Sequence, residues 1–266
     1  MLRVFKTLCV PSIVQNIMSK IHYKSPEEIA IMRESGKIAA SILEELINTA
    51  DVGVTTLELD KLAAQLISKH EVTASFKGFE GYPYSIVTCL NEAVVHGMPN
   101  EIPLVEGDIL TIDFGVIHKG FHSDTARTKE IGTQQYGEFL KVGKSALQAG
   151  IDACVMGNYI GDISHAIQST VEDASYGVVR AFVGHGVGRS LHEDPQVPGF
   201  GKPRMGIPLK EGMVLAVEVM YTMGDWEVEI LDDGWTAVTA DGSLSGMYEH
   251  TVAITSGAPK ILTAFK

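Results

Sequence analysis

A chain of 266 residues, 45% of them hydrophobic and 20% charged, with 27 glycines and 10 prolines, has enough apolar material for one large core. It carries none of the bias of disordered, collagenous or coiled-coil sequences. Its 33 acidic against 21 basic side chains give a formal net charge of −12, which argues against a nonspecific grip on nucleic acid or an anionic membrane, both of which need clustered positive charge.

Residues 1 to 24 hold Arg3, Lys6, Lys20 and Lys24, and no acidic residue precedes Glu27. The apolar stretch from Leu8 to Val14 is broken by Pro11, which makes a poor secretory signal. The segment reads instead as an organellar import sequence, or as the product of an upstream start with Met18 opening the working chain. In either case it is expected to be a basic extension outside the fold, with residues 25–266 forming a single domain. Ser25-Pro26-Glu27-Glu28 opens a helix with a capping box, and Ile29, Met32, Ile38, Ile42, Leu43 and Leu46 supply its apolar face. Thr55-Thr56-Leu57-Glu58 repeats the signal for a second helix. Strand-like runs follow at Ser85 to Val95, Asp108 to Val116 and Phe121 to Glu130, rich in Ile, Val, Thr and Phe.

Helical periodicity returns near Gln135 through Phe139, Val142, Ala146 and Ile151, and again from Asp162 through Ile163, Ile167 and Val171. Strands are then expected at Val178 to Val183, Met213 to Met220, Glu227 to Leu231, Trp235 to Thr239 and Tyr248 to Thr255. Helices followed by strands thus occur twice, the order of two α+β halves packed as one unit around a cleft. No uncharged apolar run approaches the roughly 18 residues of a membrane span. Cys9, Cys89 and Cys154 lie too far apart for a zinc ligand set or a disulfide framework, so a reducing cytoplasm is the expected setting.

The run from Gly107 to Asp124 reads as a hairpin turning at His118-Lys119. An even-length turn centred there makes Asp113 and Asp124 direct cross-strand neighbours, with Cβ atoms about 4.5 to 5.5 Å apart. Two like charges among Ile, Leu, Val and Phe repel unless a cation sits between them; a bulged turn would instead shift the register and leave one Asp in water. Glu218 interrupts the apolar run Met213 to Met220, and Glu249 lies in Met247 to Ile254, where a carboxylate is unfavourable unless paired or coordinated. His185 follows an apolar run directly and is delivered into a Gly-rich turn, Gly184 to Gly188. His96 likewise ends an apolar stretch before a turn. Four carboxylates and one imidazole favour divalent Mn, Fe, Co or Zn over a thiolate site. One such ion leaves the set at −2 whereas two neutralise it, and a dinuclear centre activates water for hydrolysis.

In order and spacing, NEAVVHGMP, GDILTIDFGVIHKGFHSDTART, GHGVGRSLHEDPQVP, GMVLAVE and MYEHTVAIT resemble the motifs of type I methionine aminopeptidases, over about residues 25 to 257. The resemblance implies the pita-bread fold, an α+β architecture of two pseudo-symmetric halves around a central dinuclear metal site. It implies two divalent ions (Co, Mn, Fe or Zn) on Asp113, Asp124, His185, Glu218 and Glu249, with Asp124 and Glu249 bridging. A metal-bridged hydroxide would attack the first peptide carbonyl, Glu218 would shuttle the proton, and His96 and His192 would contact the scissile amide. The methionine pocket would comprise Phe79, Tyr82, Val87, Leu191 and Trp235. The chain departs from the pattern at Val219, where a proline commonly follows the ligand Glu, at Val87, often a cysteine, and at Leu191, usually aromatic. No long insertion separates His185 from Glu218, which favours type I over type II.

The implied substrate is the N-terminal methionine of nascent polypeptides near the ribosome, before a small second residue. The enzyme is expected to act as a monomer, without nucleic acid or membrane. The competing readings are a proline-specific aminopeptidase or dipeptidase of the same fold, a catalytically silent adaptor, and a two-metal phosphoesterase, which would want more phosphate-clamping cations than Arg189. Removal of residues 1 to 17 is expected to leave turnover of a free peptide intact, as measured on the truncated protein.

Overall fold

A computed structural model describes residues 21–265. Helix α1 (Pro26–Thr49) starts as expected: the Glu28 amide donates to Ser25 Oγ at 3.3 Å, and the Ser25 amide returns the bond to Glu28 Oε2 at 3.1 Å. Helix α2 (Thr56–Lys69) repeats the box with Thr55 and Glu58. A short edge strand β1 (Thr73–Ala74) follows. The run read as one strand from Ser85 to Val95 is divided into β2 (Val87–Leu90) and β3 (Ala93–Val95), because Asn91 turns the chain at φ 55°.

Strands β4 (Ile109–His118) and β5 (Phe121–Glu130) form the long hairpin. Its loop is Lys119-Gly120, one residue later than the sequence pattern suggests. Both residues have positive φ, 49° and 77°, the two-residue turn whose twist matches the strands. The register therefore pairs Asp113 with Ala126 and Gly115 with Asp124. The two aspartates are diagonal neighbours, not direct partners. The slip is an even number of residues, so both still point to the same face.

Helices α3 (Gly137–Asp152) and α4 (Ile160–Glu172) open the second half. Asp162, read as the start of α4, is instead the residue in its first turn that accepts the Tyr159 amide at 2.7 Å. The apolar run Val178 to Val183 is not a strand. Only β6 (Gly177–Val178) and β7 (Gly184–Gly186) are regular there, and His185 sits within β7, paired with Ala216, rather than in a free turn. Then come β8 (Glu193–Val197), β9 (Val214–Thr222), β10 (Val228–Ile230), β11 (Ala237–Thr239), β12 (Ser245–Ala253) and β13 (Lys260–Ile261).

One sheet has the order β1-β4-β2 with β5 on β4; a larger one runs β13-β12-β9-β7-β8 with β6 on β9; β10-β11-β3 is a small third. Alternation explains how they are covered. Leu110, Ile112, Phe114 and Val116 of β4 pack with α1 and α2. Leu215, Val217, Val219 and Tyr221 of β9, with Tyr248 and Val252 of β12, pack with α3 and α4. The residues between them, Asp113 on the first sheet and Glu218 and Glu249 on the second, are thereby turned toward the opposite sheet. The two sheets meet along β5 and β12, where threonine hydroxyls take the place of a backbone ladder. Thr251 Oγ1 accepts the Asp124 amide at 2.9 Å and donates to the Asp124 carbonyl at 2.8 Å. Thr128 Oγ1 treats Met247 in the same way, at 2.8 and 2.7 Å.

The residues just before Ser25, read as lying outside the fold, are packed on it. Ile21 rests on the core of the second half, and Lys24 is buried with its amide on the Gly212 carbonyl at 2.7 Å. The described fold therefore takes in Ile21 to Lys24; residues 1–20 lie outside the described residues.

Thr251→Val keeps the side-chain volume but strands a buried amide and carbonyl of Asp124. It is expected to lower unfolding free energy by about 2 to 4 kcal/mol in urea titrations, with Thr251→Ser within about 1 kcal/mol of the parent.

Candidate metal centre and substrate cleft

A cavity of about 570 Å³ opens between the two sheets, and all twelve side chains singled out from the sequence line it. Asp113 and Asp124 come from the β4–β5 hairpin. Glu218 on β9 and Glu249 on β12 are direct cross-strand partners, an adjacency not visible in the sequence because the two strands are joined by a long excursion through β10 and β11. His185 enters from β7 beside them. Gly184 lets that strand in: a Cβ there would lie 2.5 Å from the Ala216 carbonyl oxygen and 3.3 Å from Glu218 Cγ.

The four carboxylates are 2 to 7% exposed, and Asp113 Oδ1 and Asp124 Oδ1 have no hydrogen-bond partner. Buried carboxylate oxygens without donors are strongly unfavourable as anions. Accordingly burial, then the Asp124 and Glu218 charges, pushes Asp113 well above the carboxylate range. Burial raises Asp124 to about 7, against the Thr125 amide, which lowers it. Burial and then Asp124 raise Glu218 to about 8, and burial with its three acidic neighbours raises Glu249.

His185 moves the other way, to about 4, through burial and then the nearby His192, and is a neutral imidazole. Its Nδ1 lies 2.9 Å from the Gly186 carbonyl oxygen; donation there assigns the proton to Nδ1 and leaves the Nε2 lone pair directed at the acids, 3.9 Å from Asp124 Oδ2. One ligand atom from each of Asp124, His185 and Glu249 lies within 4.8 Å of the others. Oxygen-rich donors, a neutral imidazole and orphaned buried oxygens fit divalent cations of the first transition row.

The other wall is apolar. Phe76, Tyr82, Val87, Cys89 and Leu191 form a cluster with Phe79 and Trp235 against it. The one proton of the Tyr82 hydroxyl is shared between the Gly97 and Ile86 carbonyl oxygens, at 2.9 and 3.0 Å, leaving its ring for the pocket. The departures Val87 and Leu191 are thus both pocket wall. Val219 belongs to the core on the far face of β9 and touches none of this.

His192 stands between wall and acids, its ring 5.0 Å from Phe79 and 4.4 Å from His185, both edge-on. His96 has φ 60°, uncommon for a residue with a Cβ, and its ring meets Phe182 at 5.4 Å and Trp235 at 6.5 Å. Burial lowers both histidines, and His192 depresses His96 further. The sequence reading missed Phe76, Glu80, Phe182, Met220 and Met247, which also line the cavity. Met220 and Met247 follow or precede Glu218 and Glu249 by two residues, so strand alternation was a sufficient signal; Phe182, in an irregular segment, had none.

The sequence profile of metallopeptidase family M24 matches residues 30–256. The chain is 47% identical to a methionine aminopeptidase of Clostridium perfringens, over 91% of this chain and 98% of that protein. It is 44% identical to methionine aminopeptidase 1 of Bacillus subtilis, over 90% and 98%. The crystal structure of a methionine aminopeptidase from Thermotoga maritima superposes with a TM-score of 0.90 at 42% identity, covering 92% of this chain and 99% of that one.

The raised carboxyls fix the pH dependence of the metal-free protein. Above pH about 7.5 free histidines are largely neutral in both states, while the fold still holds a proton on Glu218, and part of one on Asp124, that the unfolded chain has released. Stability must therefore fall as pH rises through about 8. In chelator, Tm is expected to drop between pH about 7.5 and 8.5, and Glu218→Gln should flatten that slope.

Proposed function

The chain belongs to metallopeptidase family M24, and we propose that it is a methionyl aminopeptidase that removes the N-terminal methionine of peptides and nascent chains with a small second residue. The observation that carries this reading is the meeting, in one cavity, of four buried carboxylates and His185 with an apolar pocket that an unbranched thioether can fill. In this reading Asp113, Asp124, His185, Glu218 and Glu249 would hold two divalent ions. Such ions lower the pKa of water and polarise a carbonyl.

The chain's own groups do the rest. The substrate's free α-amino group would be held at this centre, which limits cleavage to the first peptide bond. Phe79, Tyr82, Val87, Leu191 and Trp235 take the methionine side chain and exclude water around it. Glu218 accepts the proton that the attacking water loses and returns it to the leaving amine. His96 and His192, held neutral by burial, each have one N–H to donate to the scissile amide as charge develops on its oxygen.

The proposed site draws all of these residues from one chain, so the reading of a monomer needs no second copy to complete it. Among the described residues no helix is long and apolar enough to cross a membrane. Cys89 and Cys154 are free thiols. The free thiols fit work in a reducing compartment.

The test is release of free methionine from Met-Gly-Met-Met and of the first residue from a matched Xaa-Pro peptide, with metal-stripped protein titrated with Mn, Co, Fe or Zn. Metal-dependent methionine release that Asp113→Asn abolishes is expected. Cleavage of the Xaa-Pro peptide alone would assign the chain to the proline-specific branch, and tight metal binding without turnover would make it an adaptor.

A further inference from the structure

The loop Val187 to His192 joins β7 to β8 and carries both Leu191 of the pocket wall and His192. Among the described residues the His192 ring makes no hydrogen bond, so its pose is inherited from its backbone and from the two rings it touches. That backbone is anchored at Glu193. Lys24 Nζ lies 2.7 Å from Glu193 Oε2, with only 4% and 9% of the two side chains exposed. The other oxygen, Oε1, accepts the Ser190 amide at 3.2 Å. Burial opposes the Glu193 charge, but the Lys24 ammonium and the Ser190 amide outweigh it and keep the carboxyl below its usual range.

Lys24 is itself fixed, its amide bonded to Gly212. Its stem and the Glu193 carboxylate cross directly over Gly188, where a Cβ would meet Lys24 Cε and Glu193 Oε1, both at 2.6 Å. The loop is tied at two further points. The Gly188 carbonyl accepts the His122 amide at 2.7 Å, and Arg189 meets Glu28 at 3.1 Å while lying 4.3 Å over the Phe121 ring. The contacts of Arg189 are at the exposed surface, where an ion pair contributes little. The Lys24 contact is buried, so losing one partner leaves an uncompensated charge inside the protein.

We propose that Lys24 is a positioning residue for peptide cleavage: by pairing with Glu193 under the loop, it sets the pose of His192 against the scissile bond. This rests on the aminopeptidase reading above for its consequence, though not for its geometry. Lys24, just ahead of the cap of the first helix, thus reaches across to the second half of the fold and braces its catalytic loop.

Lys24→Met keeps the stem and removes the charge. It is expected to lower kcat for methionine release on the order of 10-fold, with Mn affinity by calorimetry unchanged and Lys24→Arg recovering most of the loss. In a His192→Ala background the same substitution should change kcat by no more than about twofold, because its effect runs through that side chain. The ring signals of His192 in histidine-labelled, metal-free protein should shift in Lys24→Met and stay in place in Lys24→Arg. Glu193→Gln asks the same question from the other partner should Lys24→Met fail to fold. An unmoved His192 signal, or a loss of kcat repeated in full in His192→Ala, overturns the proposal. A parent protein that releases no methionine counts against the aminopeptidase reading alone, and the ring signal then decides this one.

Discussion

Two sheets, each closed on one face by its own pair of helices, must be joined across their remaining faces if there is to be a cleft between them. The seam of β5 against β12 does this with threonine hydroxyls that accept an amide and donate to a carbonyl of the facing residue. A hydroxyl can satisfy both backbone groups at once because it is donor and acceptor together. The facing residues are Asp124 in one case and Met247, two positions from Glu249, in the other. The same contacts that join the halves therefore bring the acids of one sheet to the acids of the other. The centre is a consequence of how the halves are held, since neither sheet alone contains more than two of the carboxylates.

That convergence is electrostatically unfavourable in the absence of a cation. Every one of the four carboxyls is pushed up, in each case first by burial, and two retain oxygens without donors. A protein carrying such a group has given up stability at neutral pH for a site preorganised to hold positive charge. The imidazole of His185 fits this logic: burial keeps it neutral, and its Nδ1 hydrogen bond to the Gly186 carbonyl turns the lone pair of Nε2 inward. Apolar wall and charged floor then sit on opposite sides of His192, which links them through its edge-on contacts with Phe79 and His185.

Much of this was legible along the chain. The capping boxes at Ser25 and Thr55 are local chemistry, decided within four residues, and they form as read. Acids embedded in apolar strands were conspicuous for the same reason: Glu218 and Glu249 violate a pattern that strand alternation makes strict. The hairpin was placed, but its turn was misjudged by one residue because Lys119-Gly120 can adopt the two positive φ angles that His118-Lys119 would adopt only with strain. The run Val178 to Val183 misled in the opposite way, being apolar enough for a strand while serving as irregular cover for the cleft. The boundary at Ser25 was misplaced because Lys24 has no local reason to be buried; its partner is 169 residues away.

The sequence by itself determined which side chains are available and on which face of its own element each one stands, since alternation, capping and turn chemistry act over a few residues. Tertiary structure alone decided which of those faces meet. Glu218 opposite Glu249, Asp124 beside His185, His192 between Phe79 and the acids, and Lys24 under the catalytic loop are contacts between segments far apart in the chain. Their energies depend on distances of a few ångströms that no local pattern encodes.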